Sequence, residues 1–145
     1  MDIQIHAAMP DHVVALTQLL TQYHLSGNDL PDGLPNFWLA FDDNKLIGSI
    51  GIEVFGSVGL LRSVCIDAAY RNQAIARQLY EVARQAAHQQ GIRDLYLLTT
   101  TADQYFDRLG FVRINRTAVP DAIQETTQFS NLCPLSAIVM KLSLS

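Results

Sequence analysis

The sequence predicts a protein of the α/β class, an α+β arrangement in which one mixed sheet carries helices on both faces. Short alternating or wholly apolar runs indicate strands, for example residues 2–7 (DIQIHA) and 94–99 (DLYLLT). Residues 75–90 repeat their apolar positions at the period of an amphipathic helix. The compact buried strand after this helix is expected to lie parallel to the strand before it. These observations predict a sheet with at least one parallel pair.

The first half of the chain is expected to contain one helix and four strands. Pro10 and Asp11 suit the first turn of a helix. The predicted core stripe of this helix is Val13, Leu16, Leu20 and Tyr23. After the strand at 2–7, further strands are predicted at 37–41, 46–55 and 58–66, with turns at 42–45 and at Gly56-Ser57.

The second half alternates helices and strands. The second helix begins at Ile75 and is expected to end at Gly91. Its predicted buried face consists of Ile75, Leu79, Val82, Ala83 and Ala86. The remaining predicted elements are a strand at 94–99, a helix at 102–109, a strand at 111–115, a helix at 120–127 and a strand at 137–142.

Composition sets limits on function. Hydrophobic residues make up 49% and charged residues 17% of the 145 residues, which predicts a single globular domain over 1–145. A net charge of −4 argues against nucleic acid and anionic membranes as partners. Cys65 and Cys133 form neither a disulfide framework nor a zinc site, and no metal is expected. Without a leader or a long apolar run, the expected location is cytoplasmic.

The segment from Leu60 to Ala76 places a strand, a turn and a helix start in direct succession. The first amides of a helix have no acceptor inside the helix, and the helix dipole adds positive charge there, so such an end suits a diphosphate. Arg71 at the turn and Arg77 one helical turn later would add charge-assisted contacts. A plain strand–helix crossover with solvated arginines explains the pattern equally well.

Two motifs carry a family resemblance. The stretch LLRSVCIDAAYRNQAIARQLYEVA, followed by LYLLTTTADQYFDRLGFVR, is similar to the GNAT superfamily of N-acetyltransferases over nearly the whole chain. More narrowly, LLRSV, LYLLTTTA, AVPDAI and LCPLSA resemble an acetyltransferase branch associated with arsenic-resistance operons. The resemblance implies a predominantly antiparallel sheet with a central, splayed parallel pair.

The resemblance also implies acetyl-CoA as cosubstrate, with its diphosphate on the loop amides and its pantetheine arm paired with the backbone of the 58–66 strand. The residues implied for the diphosphate are Arg71, Asn72, Gln73, Ala74, Ile75, Ala76 and Arg77. Those implied for the pantetheine arm are Val64, Cys65 and Ile66. Thr99 either contacts the cofactor or caps the following helix.

Two positions depart from the family pattern. Ala74 stands where relatives usually have glycine, and alanine is expected to lose little there if its backbone is already helical. Glycine at 74 would then slightly destabilise the helix start. Phe106 stands where many relatives have a tyrosine that protonates the departing sulfur. A thiol has a pKa of about 8.5, so its thiolate can leave without that acid.

Glu53 is the one acidic residue in the apolar strand LIGSIGIEVFG. If Gly56-Ser57 is a two-residue turn, Glu53 shares a face with Arg62. The two residues either form a cross-strand ion pair or serve catalysis, with Glu53 as base and Arg62 holding an acceptor carboxylate.

The function expected from this pattern is acetyl transfer from acetyl-CoA to a small, amino-acid-like amine. The alternatives are an acyl-CoA-binding regulatory module and a peptide-acetylating enzyme. The oligomeric state, a monomer or a homodimer, stays open.

Overall fold

The computed structural model of the protein describes residues 3–25, 27, 29–71, 74–100, 102–126, 129 and 137–144. The strands in these residues are β1 Ile3–Ala7, β2 Phe37–Asp42, β3 Lys45–Phe55, β4 Val58–Ile66, β5 Asp94–Thr99, β6 Val112–Ile114 and β7 Ile138–Ser143. The α-helices are α1 Val13–Gln22, α2 Ile75–Gln89, α3 Asp103–Arg108 and α4 Asp121–Gln124. Short 3-10 helices cover Pro10–His12, Ala68–Tyr70 and Arg116–Ala118. The predicted elements are confirmed in kind, and β4 and β5 have the predicted bounds.

The strands form one sheet in the order β1-β2-β3-β4-β5-β7-β6. The pairs β1–β2, β2–β3, β5–β7 and β6–β7 are antiparallel. The β4–β5 pair is parallel, and its ladder joins Val58–Leu60 to Asp94–Tyr96. The prediction of a mixed, mainly antiparallel sheet with a central parallel pair is therefore confirmed. The ladder occupies only the first three of the nine residues of β4.

Backbone proximity divides the chain into two compact units. The first consists of Met1–Ile52 and Ser63–Ala86, and the second of Glu53–Arg62 and Ala87–Ser145. The core of the first unit contains Leu16, Leu19, Leu20, Leu34, Phe37, Leu39 and Cys65. Burying each large apolar side chain contributes about 1.5–3 kcal/mol. Gly51 belongs to this packing, because a Cβ there would overlap the ring of Phe37.

The second unit has its own core, formed by Leu60, Tyr96, Val119, Ile123 and Val139. The end of α2 lies in this unit and follows the prediction. Gly91 has a φ of +84°, and the amide of the next residue, Ile92, donates to the carbonyl of Ala87 over 3.0 Å. A residue without a side chain adopts this left-handed conformation at low cost, so α2 ends here.

Two predicted core positions are wrong. The side chain of Val13 is 39% exposed and that of Val82 is 37% exposed. Val13 is the first residue of α1 after the 3-10 turn, so it precedes the packed stripe, and Leu19 is buried in addition to Leu16 and Leu20. Four buried positions along α2 follow one another at intervals of four residues, at Ile75, Leu79, Ala83 and Ala87, and Tyr80 is buried beside this row. Val82 lies at the side of that row.

Across the described part of the chain, the helices are all too short or too polar to cross a membrane.

Candidate functional site

Glu53 and Arg62 meet across the β3–β4 hairpin, as the turn length predicts. Nη1 of Arg62 donates to Oε1 of Glu53 over 2.8 Å. The Arg62 side chain is 2% exposed, whereas that of Glu53 is 25% exposed. The Glu53 side chain is therefore partly exposed, while that of Arg62 is buried. The contact with Arg62 orients the Glu53 carboxylate.

β4 contains a backbone irregularity next to Arg62. Ser63 has a φ of +56°, a left-handed conformation that non-glycine residues adopt only when their surroundings hold it. The hydroxyl of Ser49, which is fully buried on β3, donates to the carbonyl of Ser63 over 2.7 Å. A left-handed residue inside a strand turns the neighbouring peptide groups out of the regular ladder direction. The backbone amides of β4 from Val64 onward therefore follow an irregularity in the strand.

The three residues implied for the pantetheine arm complete β4. The parallel ladder with β5 ends at Leu60, before Val64, Cys65 and Ile66 are reached. The Cys65 side chain is buried, and desolvation raises the pKa of its thiol to about 11. The nearby Arg71 guanidinium lowers this pKa, but its effect is smaller than that of desolvation. The thiol is therefore protonated at neutral pH, and only the backbone of Cys65 is available for a ligand.

The predicted phosphate loop is described in part. Asn72 and Gln73 lie outside the described residues. Arg71 is exposed, Ile75 is buried in the core with 2% exposure, and Ala76 is half-buried. The amide of Gln78 donates to the carbonyl of Ala74 over 3.1 Å at the start of α2. The amides just before Gln78 have no acceptor from the helix itself and suit an anion.

The two arginines of this loop differ in their contacts. Nε of Arg71 donates to the carbonyl of Ile66 over 3.3 Å. Nε of Arg77 instead donates to Glu81, one turn further along α2, also over 3.3 Å. The pKa of Glu81 is lowered mainly by its hydrogen bond from Arg84 and to a smaller extent by Arg77. Arg77 is therefore directed along the surface of α2, whereas Arg71 contacts the end of β4.

Ala74 does not have the helical backbone expected of it. Its φ is +61°, in the left-handed region, so the condition under which alanine would lose little at this position is not met. An L-residue in this conformation costs about 1–2 kcal/mol because its Cβ crowds the following carbonyl. Glycine carries no such cost. The sign of the expected stability change on replacing Ala74 by glycine is therefore reversed.

Ala74→Gly is expected to raise the free energy of unfolding by about 0.5–1 kcal/mol. The change relieves backbone strain in the folded state, and the greater conformational freedom of glycine in the unfolded chain offsets part of this gain. Denaturant unfolding measures this change. The matched control is Ala76→Gly inside α2, which should lower stability by up to about 1 kcal/mol. A loss of stability for Ala74→Gly of the same size as for Ala76→Gly would contradict a strained Ala74.

The second unit contains the other two residues assigned to the cofactor. Oγ1 of Thr99 accepts a hydrogen bond from the amide of Ala102 over 2.9 Å, so Thr99 does cap the turn before α3. Phe106 is buried, with 6% exposure, and its ring packs edge-on against Tyr105 and Phe111. Phe106 is thus a core residue of α3. Thr101 and Cys133 lie outside the described residues.

Comparison with known proteins identifies the class to which this arrangement belongs. A family model described as an acetyltransferase (GNAT) domain matches residues 34–113, more than half of the chain. The chain therefore belongs to the GNAT acetyltransferase family. The prediction of an acetyl-CoA-dependent N-acetyltransferase is confirmed at the level of enzyme class. No curated protein sequence matches the chain.

Solved structures share the fold at low sequence identity. N-acetylglutamate synthase from Neisseria gonorrhoeae, complexed with coenzyme A and N-acetyl-glutamate, has a TM-score of 0.86 at 16% identity over 100% of this chain and 36% of that one. The chain thus spans about a third of that protein's length. Rv2747 from Mycobacterium tuberculosis, in complex with CoA, has a TM-score of 0.78 at 22% identity over 98% of this chain and 99% of that one.

A third solved structure is the ribosomal-protein-S18-alanine N-acetyltransferase from Escherichia coli. It has a TM-score of 0.77 at 18% identity and covers 99% of this chain and 95% of that one. At these identities the likeness shows the GNAT fold and leaves the acceptor open.

Proposed function

We propose that this protein transfers the acetyl group of acetyl-CoA to the primary amine of a small, amino-acid-like molecule. The observation that carries the proposal is the Glu53–Arg62 pair, in which a buried guanidinium orients the one acidic, partly exposed side chain of β3 in an acetyltransferase domain. An amine must lose a proton to attack a thioester, and a positioned carboxylate can accept that proton directly or through one water.

In this mechanism Glu53 is the general base. The amine attacks the thioester carbonyl, and the oxygen that becomes negative requires a hydrogen-bond donor. A backbone amide of Val64 or Cys65, next to the left-handed Ser63, is the proposed donor, a contact worth about 2.7–4 kcal/mol. Phe106 has no proton to give, so the sulfur leaves as a thiolate, which a pKa of about 8.5 permits.

Arg62 has two possible roles in this scheme. Its side chain is 2% exposed and donates to Glu53, which supports a role in orienting the base. The alternative is that Arg62 grips a carboxylate of the acceptor, which requires the guanidinium to become accessible when the acceptor binds. The first role requires no rearrangement and is the one we propose.

The proposed cofactor site joins β4 to the start of α2. Arg71 and the amides around Ala74, Ile75 and Ala76 hold the diphosphate, with Asn72 and Gln73 as further members of the loop, whereas Arg77, on the first turn of α2, is engaged with Glu81 and contributes only its charge. The backbone of Val64, Cys65 and Ile66 pairs with the pantetheine arm. This pairing is supported by the early end of the β4–β5 ladder, which leaves these residues outside it. The assignment of Thr99 and Phe106 to the cofactor, which the family resemblance implies, stays a separate prediction.

The acceptor class draws support from the fold relatives. N-acetylglutamate synthase is complexed with N-acetyl-glutamate, an acetylated amino acid. The ribosomal-protein-S18-alanine acetyltransferase marks a second class, the amine of a protein. Glu53 can accept the proton of either kind of amine. If Arg62 binds the acceptor directly, a small acceptor with its own carboxylate is favoured.

The decisive experiment measures thiol release from acetyl-CoA with a panel of amino acids, each paired with the amine that lacks its carboxylate, plus polyamines, amino-phosphonates and a short peptide. Turnover of amino acids above their decarboxylated partners supports the proposal. Turnover of the peptide alone would assign the protein to the second acceptor class. Binding of acetyl-CoA without release across the panel would overturn the proposed small-amine acceptor.

Four narrower assignments stay predictions: a single domain over 1–145, the arsenic-resistance branch, a cytoplasmic location and a homodimer.

A further inference from the structure

The segment between β4 and α2 is tied to the end of α1. The amide of Ala68 donates to the hydroxyl of Tyr23 over 2.7 Å. Asp67 caps the same short 3-10 helix by accepting from the amide of Ala69 over 2.9 Å. All of these residues belong to the first compact unit. The Tyr23 hydroxyl thereby joins the backbone that leads into the proposed phosphate loop to the end of α1.

Tyr23 also contacts Arg71 directly. The guanidinium carbon of Arg71 lies 5.2 Å from the centre of the Tyr23 ring, a cation–π geometry. Nε of Arg71 is engaged with the carbonyl of Ile66. These two contacts involve the face and the inner nitrogen of the guanidinium, and neither involves the two outer nitrogens, which are the ones suited to bidentate contact with a phosphate.

We propose that Tyr23 is a positioning residue for acetyl-CoA, acting through Arg71 on the cofactor's diphosphate. The inference rests on the proposed function, because it assumes that the loop from Arg71 to Ala76 holds the cofactor. An exposed arginine samples many rotamers and must lose that freedom when it binds a phosphate. The Tyr23 ring and the Ile66 carbonyl restrict Arg71 before the ligand arrives, so less freedom is lost on binding.

A second tether on the same short helix does not involve Arg71. The hydroxyl of Tyr70 donates to Oδ2 of Asp42 over 2.5 Å, and Nζ of Lys45 lies 5.6 Å from the centre of the Tyr70 ring. Tyr70→Phe removes the Asp42 bond and leaves the Tyr23–Arg71 contact in place. This variant is a matched control for any general loosening of the segment.

The test is a double-mutant cycle read by calorimetric titration of CoA and by initial rates. Tyr23→Leu is expected to weaken CoA binding by about fivefold, in the range of an exposed cation–π contact plus the lost preorganisation. Arg71→Gln is expected to weaken it by about tenfold. If Tyr23 acts through Arg71, the double variant binds CoA about as tightly as Arg71→Gln alone.

Kinetics separate positioning from structural support. Tyr23→Leu should raise the KM for acetyl-CoA by the same factor and leave both kcat and the acceptor KM near wild type. Tyr23→Phe retains the ring and should bind CoA more tightly than Tyr23→Leu. Tyr70→Phe should bind CoA like the wild type. Thermal unfolding of each variant confirms that the measured protein is folded.

The possible failures are distinct. If Arg71→Gln binds CoA like the wild type, the proposed cofactor loop is wrong. If Arg71→Gln weakens binding but Tyr23→Leu does not, or if the two effects add, the cofactor loop stands and the role of Tyr23 is overturned. A Tyr70→Phe or Tyr23→Phe variant as weak as Tyr23→Leu would likewise overturn the role of the ring.

Discussion

Glu53→Gln is expected to lower the turnover of acetyl transfer by about 10²–10⁴-fold, the range for the loss of a positioned general base. Glutamine has the shape of glutamate and can still accept a hydrogen bond from Arg62, but it cannot take a proton from the amine. The loss should be largest at low pH, where the acceptor amine is protonated and most in need of a base. Initial rates at saturating acetyl-CoA measure it across the pH range.

The control for this variant is the partner residue. Arg62→Met removes the charge that orients Glu53 and replaces a side chain that is 2% exposed with an apolar one of similar length. If Arg62 orients the base, the change lowers kcat, and adding Glu53→Gln lowers it little further. If Arg62 grips the acceptor, the change raises the acceptor KM instead. A purely structural pair would show coupling in unfolding free energy and none in turnover.

Full activity of Glu53→Gln between about pH 6 and pH 9 would remove Glu53 as the base. Ordered water would then be the remaining acceptor for the amine's proton.

The fold was largely predictable because its elements have strong local signals. β4 and β5 have the predicted bounds, since each is an apolar run limited by turn residues. Gly91 ends α2 as expected, since its left-handed conformation favours glycine. The faces of the helices were less predictable. Val13 and Val82 are apolar, but whether an apolar residue at the side of a stripe is covered depends on the neighbouring elements.

The site was predictable where a turn fixes geometry. A two-residue turn sets the register of a hairpin, and with Gly56-Ser57 as that turn Glu53 pairs with Leu60 and shares a face with Arg62, its diagonal neighbour. The left-handed conformations of Ser63 and Ala74 were not predictable, because neither serine nor alanine signals a positive φ. The contact that Ser63 makes with the hydroxyl of Ser49, 14 residues earlier, is likewise not visible in the local sequence.

Tyr23 illustrates a different limit. Its spacing in α1 assigned it to the core stripe, and it does pack at the edge of that core. Its hydroxyl and ring, however, also contact Ala68 and Arg71, some 45 residues further along the chain. Helical periodicity identifies a buried face and carries no information on such distant partners. A tyrosine at a helix end, with its polar tip, is the one local sign of such a role.

Arg71→Glu is expected to weaken CoA binding by at least about tenfold, since it replaces a charge-assisted contact with repulsion of the diphosphate. Arg71 is exposed and its described contacts are the Ile66 carbonyl and the Tyr23 ring, so the fold should tolerate the change. Calorimetric titration of CoA, with thermal unfolding as a check on the folded state, measures the effect.

Arg77→Glu is the matched control, because it changes the net charge by the same amount within the same loop and helix start. The Arg77 side chain is 61% exposed and engaged with Glu81, so it is held away from the first amides of α2. Its reversal should weaken CoA binding by no more than about threefold, through the screened field alone. Equal weakening by the two variants would mean that CoA responds to net charge rather than to Arg71, and the diphosphate would then have to bind elsewhere on the domain.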